Sequence, residues 1–159
     1  MLEFVEADIA GWMVLRLTAG ATGIRAIDFD LARPTGAQRN PANPFLIEAE
    51  RQLRAYFAGE LRRFQLPLDP EGTAFRKRVW RELESIPYGE TRSYSQIAGA
   101  IGSPRAVRAV GAANGANPVP IVVPCHRVIG SSGRLVGYGG GLPLKKRLLE
   151  LEGIGCKID

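Results

Sequence analysis

The pattern of hydrophobic and polar positions predicts two strands and a helix in the first part of the chain. Apolar positions over residues 12–17 and 24–30 predict short strands around a hairpin turn at 21–23. Three prolines and a glycine predict a loop over residues 32–44. Asn43-Pro44 then favours the start of a helix. The apolar stripe of that helix consists of Leu46, Ala49, Leu53, Tyr56 and Phe57.

A linker predicted at residues 67–72 separates this part from a second, mostly helical part. The second part is expected to begin with a helix that Thr73 caps and that a turn at residues 87–89 ends. Another helix is predicted over residues 143–152 at the end of the chain. The first of these two helices has its apolar positions at Phe75, Val79, Leu83 and Ile86.

Between these two helices lies a helix-turn-helix pattern. Ser93 and Gln96 have the spacing of a capping box, which starts a short helix. A glycine turn follows, and Ser103-Pro104 is expected to start the second helix of the pair. Arg105 and Arg108 are expected on this second helix, where they could contact DNA. Short helix pairs are also common in α/β proteins that do not bind DNA, so both interpretations stay open.

The only histidine of the chain directly follows one of its two cysteines, within Pro124-Cys125-His126-Arg127-Val128. The apolar residues 121–123 predict a strand that leads to this cysteine. A cysteine reacts as its thiolate, and a neighbouring imidazole helps to form one. The alternative is a buried, inert cysteine beside a surface histidine. The glycine-rich residues 135–141 follow, either as a loop that offers amides to a ligand or as an exposed hinge.

Length and composition limit the class of protein. A chain of 159 residues fits one domain or two small ones. Two cysteines cannot form a disulfide framework, and a single histidine argues against a zinc site. Residues 1–10 lack the apolar core of a signal peptide, and no apolar run reaches transmembrane length. We therefore expect a cytoplasmic protein with no membrane association, in which a reactive thiol stays reduced.

Positive charge is concentrated in the second part of the chain. The net charge is +5, and residues 91–149 contain eight basic residues and no acidic one. A long segment without carboxylates creates the local positive potential that phosphate binding needs. A solvated basic face is the alternative interpretation. The charge distribution therefore favours a nucleic acid as the partner.

Four segments together closely resemble the O6-alkylguanine-DNA alkyltransferase family. They are Asn117-Pro118-Val119-Pro120-Ile121, Pro124-Cys125-His126-Arg127-Val128, Ser131-Ser132-Gly133, and Tyr138 with Gly140-Gly141-Leu142. The resemblance is dense over residues 75–153 and weak before them. It implies an α/β protein. The N-terminal domain, residues 1–69, would have a small sheet and be ribonuclease-H-like. The C-terminal domain, residues 70–159, would be a mostly helical, winged helix-turn-helix-like DNA-binding and alkyltransferase domain.

The resemblance also implies a mechanism of DNA repair by direct reversal. Cys125 would take the alkyl group from guanine O6 irreversibly, once per protein molecule and without a cofactor. His126 would act through a bound water as the base, and Glu152 would orient His126. Asn117 would brace the turn before the active site. Tyr94 would donate a hydrogen bond to guanine as charge builds on the leaving base.

The resemblance further implies how DNA and base are held. Arg108 would fill the gap left by a base flipped out of the duplex, with the helix-turn-helix in the minor groove. The other expected DNA contacts are Arg105, Ser93 and Arg127. The expected base pocket consists of Tyr94, Cys125, Val128, Tyr138 and Gly139. Carbonyls of Cys125 and Val128 would read the guanine amino group. The amide of Gly139, where many relatives have serine, would face O6.

The expected partner is duplex DNA containing O6-alkylguanine, with O4-alkylthymine as a further substrate. We expect a monomer and leave cooperative binding on DNA open. No metal is expected, because residues 1–70 lack the cysteine and histidine with which some relatives hold zinc. Two other functions remain as alternatives. One is a non-catalytic lesion-binding or regulatory helix-turn-helix protein, and the other is a thiol hydrolase that uses Cys125, His126 and Glu152.

Overall fold

The computed structural model describes residues 1–155 and divides the chain into two compact units, Met1–Glu71 and a second that begins at Gly72. The first unit contains a four-stranded sheet in the order β3-β2-β1-β4, with α1 packed against β1 and β2. Neighbouring strands are antiparallel except for β1 and β4, which are parallel. The elements are β1 (Glu3–Ile9), β2 (Met13–Ala19), β3 (Ile24–Asp28), β4 (Gln38–Arg39) and α1 (Pro44–Phe57).

Strand β1 was missing from the sequence-based prediction. Val5, Ala7 and Ile9 face the core, whereas Glu6 and Asp8 are exposed. This period-two alternation is a strand signal, although the acidic residues make the segment polar on average. The predicted loop over residues 32–44 also contains the two-residue strand β4.

Helix α1 begins as predicted. The side chain of Asn43 accepts hydrogen bonds from the amides of Phe45 and Leu46 at 2.9 and 3.2 Å, and Pro44 occupies the first turn. These contacts satisfy amides that have no partner inside the helix. The predicted apolar stripe is buried throughout its length.

Part of the predicted linker belongs to the first unit. The amide of Ile24 donates to the carbonyl of Pro67 at 2.9 Å, and the amide of Asp69 donates to the carbonyl of Ile24 at 2.8 Å. Gly23 permits this approach, because a Cβ atom there would lie 2.3 Å from the Pro67 carbonyl oxygen. Residues 67–69 are therefore paired with the start of β3.

The second unit consists mainly of helices. Helices α2, α3 and α4 pack on one another, and the two-residue strands β5 and β6 form a parallel pair. Its elements are α2 (Ala74–Glu84), β5 (Arg92–Ser93), α3 (Tyr94–Ala100), α4 (Val107–Gly115), a 3₁₀ turn (Cys125–Arg127), β6 (Val128–Ile129) and α5 (Leu142–Leu151). The mixed α/β class expected from the sequence agrees with this architecture.

Two predicted elements of the second unit were wrong. Residues 121–123 do not form a strand, since Ile121 has a left-handed backbone (φ 75°) and the amide of Val123 donates to the carbonyl of Val119 at 2.9 Å. Prolines 118, 120 and 124 also lack the amides that a strand would need. The second helix of the helix-turn-helix begins at Val107 rather than at Pro104.

Ser93 has a structural role that can be tested by its effect on stability. Its hydroxyl accepts from the amide of Gln96 at 3.1 Å, and its own amide donates to the Gln96 side chain at 2.8 Å. Loss of a cap costs about 1 kcal/mol. We expect Ser93→Ala to lower the free energy of unfolding by about that amount, measured by denaturant titration. Ser93→Thr, which keeps the cap, is the control, and an equal loss in both variants would contradict the capping role.

Candidate active site

Cys125 is buried at the start of the 3₁₀ turn. The residue is 4% exposed, and its amide donates to the carbonyl of Val123 at 2.7 Å. Burial raises the pKa of its thiol to about 11, although a hydrogen bond from the side chain of Asn117 and the positive charge of Lys145 partly oppose this. The thiol is therefore neutral at pH 7, and its reaction needs a base.

His126 and Glu152 are brought together inside the second unit. His126 Nε2 and Glu152 Oε2 are 2.7 Å apart, and both side chains are fully buried. Burial lowers the pKa of His126 below its ordinary value of 6.5, and the charges of Arg127 and Lys145 act in the same direction. Glu152 opposes this shift. An imidazole with a lowered pKa is uncharged at pH 7 and can accept a proton.

The carboxylate of Glu152 lies at the C-terminal end of α5, where it accepts hydrogen bonds from Arg127 and Gly89 and lies against His126 Nε2. Arg127 Nε donates to Oε1 at 2.8 Å, and Arg127 Nη2 donates to Oε2 at 3.1 Å. The amide of Gly89, in the turn after α2, donates to Oε1 at 3.2 Å. His126 Nε2 lies 2.7 Å from Oε2. Glu152 thus links segments that lie far apart in the sequence.

The position of Arg127 corrects the prediction that this residue contacts DNA. Arg127 is only 6% exposed, and besides its two bonds to Glu152 it donates from Nη1 to the carbonyl of Ile86 at 2.7 Å. Its guanidinium carbon also lies 5.7 Å from the centre of the Tyr88 ring. All three guanidinium nitrogens of Arg127 donate hydrogen bonds inside the protein, so the group cannot reach a phosphate. Arg127 therefore belongs to the interior of the site.

Two asparagines hold the segment around the thiol. Asn117 Nδ2 donates to the carbonyl of Val123 at 2.9 Å, and its Oδ1 accepts from the amide of Val119 at 3.0 Å. Asn117 therefore spans the turn that it was predicted to brace. Asn114, on the last turn of α4, is buried, and its Nδ2 lies 3.5 Å from the carbonyl oxygen of Cys125. Asn114 was not among the predicted site residues, because its contact with Cys125 joins positions 11 apart and leaves no local pattern in the sequence.

The loop after β6 is tied to the core by Tyr94 and Lys145. The hydroxyl of Tyr94, the first residue of α3, donates to the carbonyl of Val136 at 3.0 Å. Lys145 is fully buried and donates to the carbonyls of Val128, Val136 and Gly137 at 2.7, 3.3 and 3.3 Å. Lys145 was counted only as part of the basic segment, since a charge count does not distinguish a buried lysine from an exposed one.

The remaining predicted residues lie at or near the surface of this unit. Arg108 is exposed on α4, and Arg105 is exposed in the turn before that helix. Ser93 is half-buried as the cap of α3. In the loop after β6, Tyr138 is half-buried and Gly139 is exposed. Cys156, the second cysteine, lies outside the described residues.

Neither a metal site nor a membrane span is found in the part of the chain that the structure describes. Within residues 1–155, no three or more histidine, cysteine, aspartate and glutamate side chains are grouped so that they could hold a metal ion. No helix in the same range is both long enough and apolar enough to cross a membrane.

Family models match both parts of the chain. The model of the DNA-binding domain of 6-O-methylguanine DNA methyltransferase matches residues 74–154. The model of the ribonuclease-like domain of the same protein matches residues 15–70. The chain belongs to the 6-O-methylguanine DNA methyltransferase family. The resemblance and the fold class expected from the sequence are therefore confirmed.

Individual relatives agree with this assignment. A methylated-DNA–protein-cysteine methyltransferase of Methanosarcina acetivorans is 62% identical over 109 residues, which cover 69% of this chain and 70% of the relative. The crystal structure of Mycobacterium tuberculosis O6-methylguanine methyltransferase is 46% identical, with a TM-score of 0.87 over 96% of this chain and 93% of that one. A structure of the M. tuberculosis protein in complex with DNA is 48% identical, with a TM-score of 0.83 and coverage of 95% and 91%.

The lowered pKa of His126 predicts a pH dependence of stability. An unfolded histidine takes up a proton near pH 6.5, whereas folded His126 does so only at lower pH. Between these values the unfolded chain binds more protons, so stability falls as pH falls below 6.5. The slope is at most about 1.4 kcal/mol per pH unit for one group. We expect denaturant titrations from pH 7.5 to pH 5, an interval chosen around the ordinary histidine pKa of ~6.5, to show this loss.

The matched variant is His126→Gln, which keeps a hydrogen-bonding side chain but does not titrate. No other histidine is present to compensate. We expect the slope below pH 6.5 to flatten in this variant, whatever its absolute stability. An unchanged slope would assign the proton uptake to another group.

Proposed function

We propose that this chain repairs DNA by transferring an alkyl group from O6 of guanine to Cys125. The bond from the alkyl carbon to O6 breaks as the bond to the cysteine sulfur forms, and the guanine regains its normal form. The thioether is stable, so each molecule acts once and no cofactor takes part. The observation that carries the proposal is the buried Cys125, followed by the buried pair of His126 and Glu152, in a chain of this family.

The electrostatics of the site support His126 as the base. A thiol with a pKa of about 11 forms little thiolate at pH 7, so its proton has to leave as the sulfur attacks. His126 is uncharged at this pH and would accept that proton through a bound water. Glu152 would stabilise the resulting imidazolium, as the acid does in a hydrolase triad. The proton ends on the guanine base that leaves.

The base pocket is proposed between α3, the 3₁₀ turn and the loop after β6. The carbonyl of Val128 accepts from Lys145 and, with two lone pairs, could also accept from the guanine amino group. The Tyr94 hydroxyl donates to Val136 in this structure, so a bound guanine would replace that acceptor. Tyr138 and the amide of Gly139 would complete the pocket on the loop side.

Duplex DNA is the proposed partner, through base flipping. An enzyme cannot reach O6 of a stacked base, so the nucleotide has to rotate out of the helix. Arg108 is exposed on α4 and would fill the gap, with the helix-turn-helix in the minor groove. Arg105 and Ser93 would contact the DNA backbone. A structure of the 48% identical M. tuberculosis protein in complex with DNA supports DNA as the partner.

Further parts of the proposal follow the expectations from the sequence. O4-alkylthymine would be a second substrate, since its alkylated oxygen is chemically similar. The protein would act as a monomer in the cytoplasm, where its thiol stays reduced. The alkyltransferase domain would comprise residues 70–159.

Loss of the acceptor thiol should abolish transfer. We expect wild-type protein to gain one methyl group, mapped to Cys125, after incubation with duplex DNA containing O6-methylguanine. Cys125→Ala should gain none, while its binding to the same duplex in a gel-shift assay stays near that of wild type. Intact-protein mass spectrometry with peptide mapping is the measurement.

Cys156→Ser is the matched control, and we expect it to accept the methyl group normally. Methylation mainly at Cys156 would contradict the assignment of Cys125. Repeated turnover of an ester or amide substrate, without any stable adduct, would instead favour a thiol hydrolase. Binding without methyl transfer by folded wild-type protein would favour a non-catalytic lesion-binding protein.

Arg108→Ala should separate base flipping from alkyl transfer. We expect repair of methylated duplex to slow by roughly tenfold or more, because unstacking a base costs a few kcal/mol. Reaction with free O6-benzylguanine, which needs no flipping, should change little. Single-turnover rates on both substrates are the measurement. Arg105→Ala, proposed to lose one phosphate contact, should instead weaken DNA binding and reduce its salt slope by about one. Equal losses on both substrates in Arg108→Ala would contradict the flipping role.

A further inference from the structure

The hydrogen bonds around Glu152 determine which ring nitrogen of His126 carries the proton. An ionised carboxylate can only accept hydrogen bonds, whereas a protonated one also carries an O–H donor. Glu152 accepts two bonds from the Arg127 guanidinium and one from the amide of Gly89, which favours the ionised form. Parallel bonds from one guanidinium to both oxygens are among the strongest contacts to a carboxylate. Because Glu152 only accepts, His126 Nε2 at 2.7 Å has to be the donor. The accepting nitrogen of the imidazole is then Nδ1.

We infer that Arg127 is a positioning residue for the alkyl transfer, because its two bonds hold Glu152 as a carboxylate and thereby keep His126 uncharged with its proton on Nε2. The inference rests on the proposed function, in which His126 is the base. Arg127 itself touches neither the thiol nor the substrate in this scheme. It acts only through Glu152.

The charge balance of the buried cluster explains why Arg127 is needed. Arg127, an uncharged His126 and an ionised Glu152 together carry no net charge. Without Arg127, His126 and Glu152 would together bury a net negative charge, which is unfavourable in an apolar interior, and it would be opposed only by Lys145, whose effect on the pKa of His126 is smaller than that of Arg127. The pair would regain neutrality by taking up a proton. The resulting imidazolium could not accept the proton of Cys125.

Among the other elements around His126, only α5 adds a positive charge that acts on it, and the effect of that charge on the pKa of His126 is smaller than that of Arg127. On α5, Lys145 lowers the pKa of His126 and Glu152 raises it, and in the 3₁₀ turn the flanking groups are Cys125 and Arg127. The turn after α2 contributes Tyr88 and the amide of Gly89. Helix α2 packs against the 3₁₀ turn and buries only uncharged side chains. These are Val79, Trp80 and Leu83.

The geometry specifically requires arginine. Nε and Nη2 bind the two oxygens of Glu152, while Nη1 binds the carbonyl of Ile86 at 2.7 Å. A lysine ammonium carries the same charge at one point and cannot form this planar set of bonds. A lysine at this position should therefore keep the charge balance but position Glu152 less well.

The single histidine makes the inference directly measurable. In protein labelled with ¹⁵N-histidine, the two imidazole nitrogens of His126 give the only side-chain signals of that type. We expect wild-type signals at pH 7 to be those of an uncharged imidazole with the proton on Nε2. In Arg127→Gln, the midpoint of imidazole protonation should rise by about one pH unit or more, a tenfold change in proton affinity.

The rate of alkyl transfer should follow the same titration. The acid limb of the single-turnover rate with methylated duplex should move to higher pH in Arg127→Gln, and the rate should recover above the new midpoint. Arg127→Lys should titrate close to wild type. Arg76→Gln, which removes one exposed positive charge from α2, should leave both the titration and the rate unchanged. A purely structural role for Arg127 would lower the melting temperature without moving the imidazole titration.

Several outcomes would overturn the inference. One is a folded Arg127→Gln protein whose imidazole titrates as in wild type. Removal of Arg127 leaves a buried charge, which can prevent the variant from folding. In that case the spectrum of the wild-type protein tests the inference. A proton on Nδ1, or an imidazolium at pH 7, would refute the inference without any variant. If wild-type protein gives the expected imidazole signals but transfers no methyl group, the proposed function alone would be refuted.

Discussion

The second unit depends most on the hydrogen bonds of the buried Glu152 carboxylate. It joins the end of α5 to the turn after α2 and to the 3₁₀ turn that carries the thiol. An ionised group without partners would be very costly in this interior, whereas one that accepts several hydrogen bonds is tolerated. The same bonds that make the charge tolerable fix the orientation of His126. Packing and chemistry are therefore coupled through one side chain.

Burial has opposite consequences for the two titrating groups of the site. It raises the pKa of Cys125 and lowers that of His126, so both groups are uncharged at pH 7. A resting site without charged reactants is stable in an apolar interior and protects the thiol from unwanted reactions. Transfer then requires the proton to move as the alkyl group arrives. This arrangement suits a protein that uses its cysteine only once.

The sequence predicted those elements whose signals are local. The start of α1 at Asn43 and the capping box of Ser93 depend on residues within one helical turn, and both were predicted correctly. Strand β1 has the required alternation, but its acidic residues obscured it. The strand expected at residues 121–123 was wrong because apolar composition does not reveal a left-handed residue among prolines. That geometry is stabilised by Asn117, whose contacts depend on the folded turn.

The contacts of charged residues were the least predictable part of the site. Of the eight basic residues in the acid-free segment, Arg127 and Lys145 are buried and serve the site rather than its surface. Both were included when the positive charge of this segment was interpreted as a DNA-binding feature. Their partners are a carboxylate and backbone carbonyls from other parts of the fold, which no local pattern reveals. The positive potential offered to DNA therefore comes from fewer side chains than the count indicates. The interior charges act instead on the site: burial has the largest effect on both pKa values, Lys145 lowers those of Cys125 and His126, and Arg127 lowers that of His126.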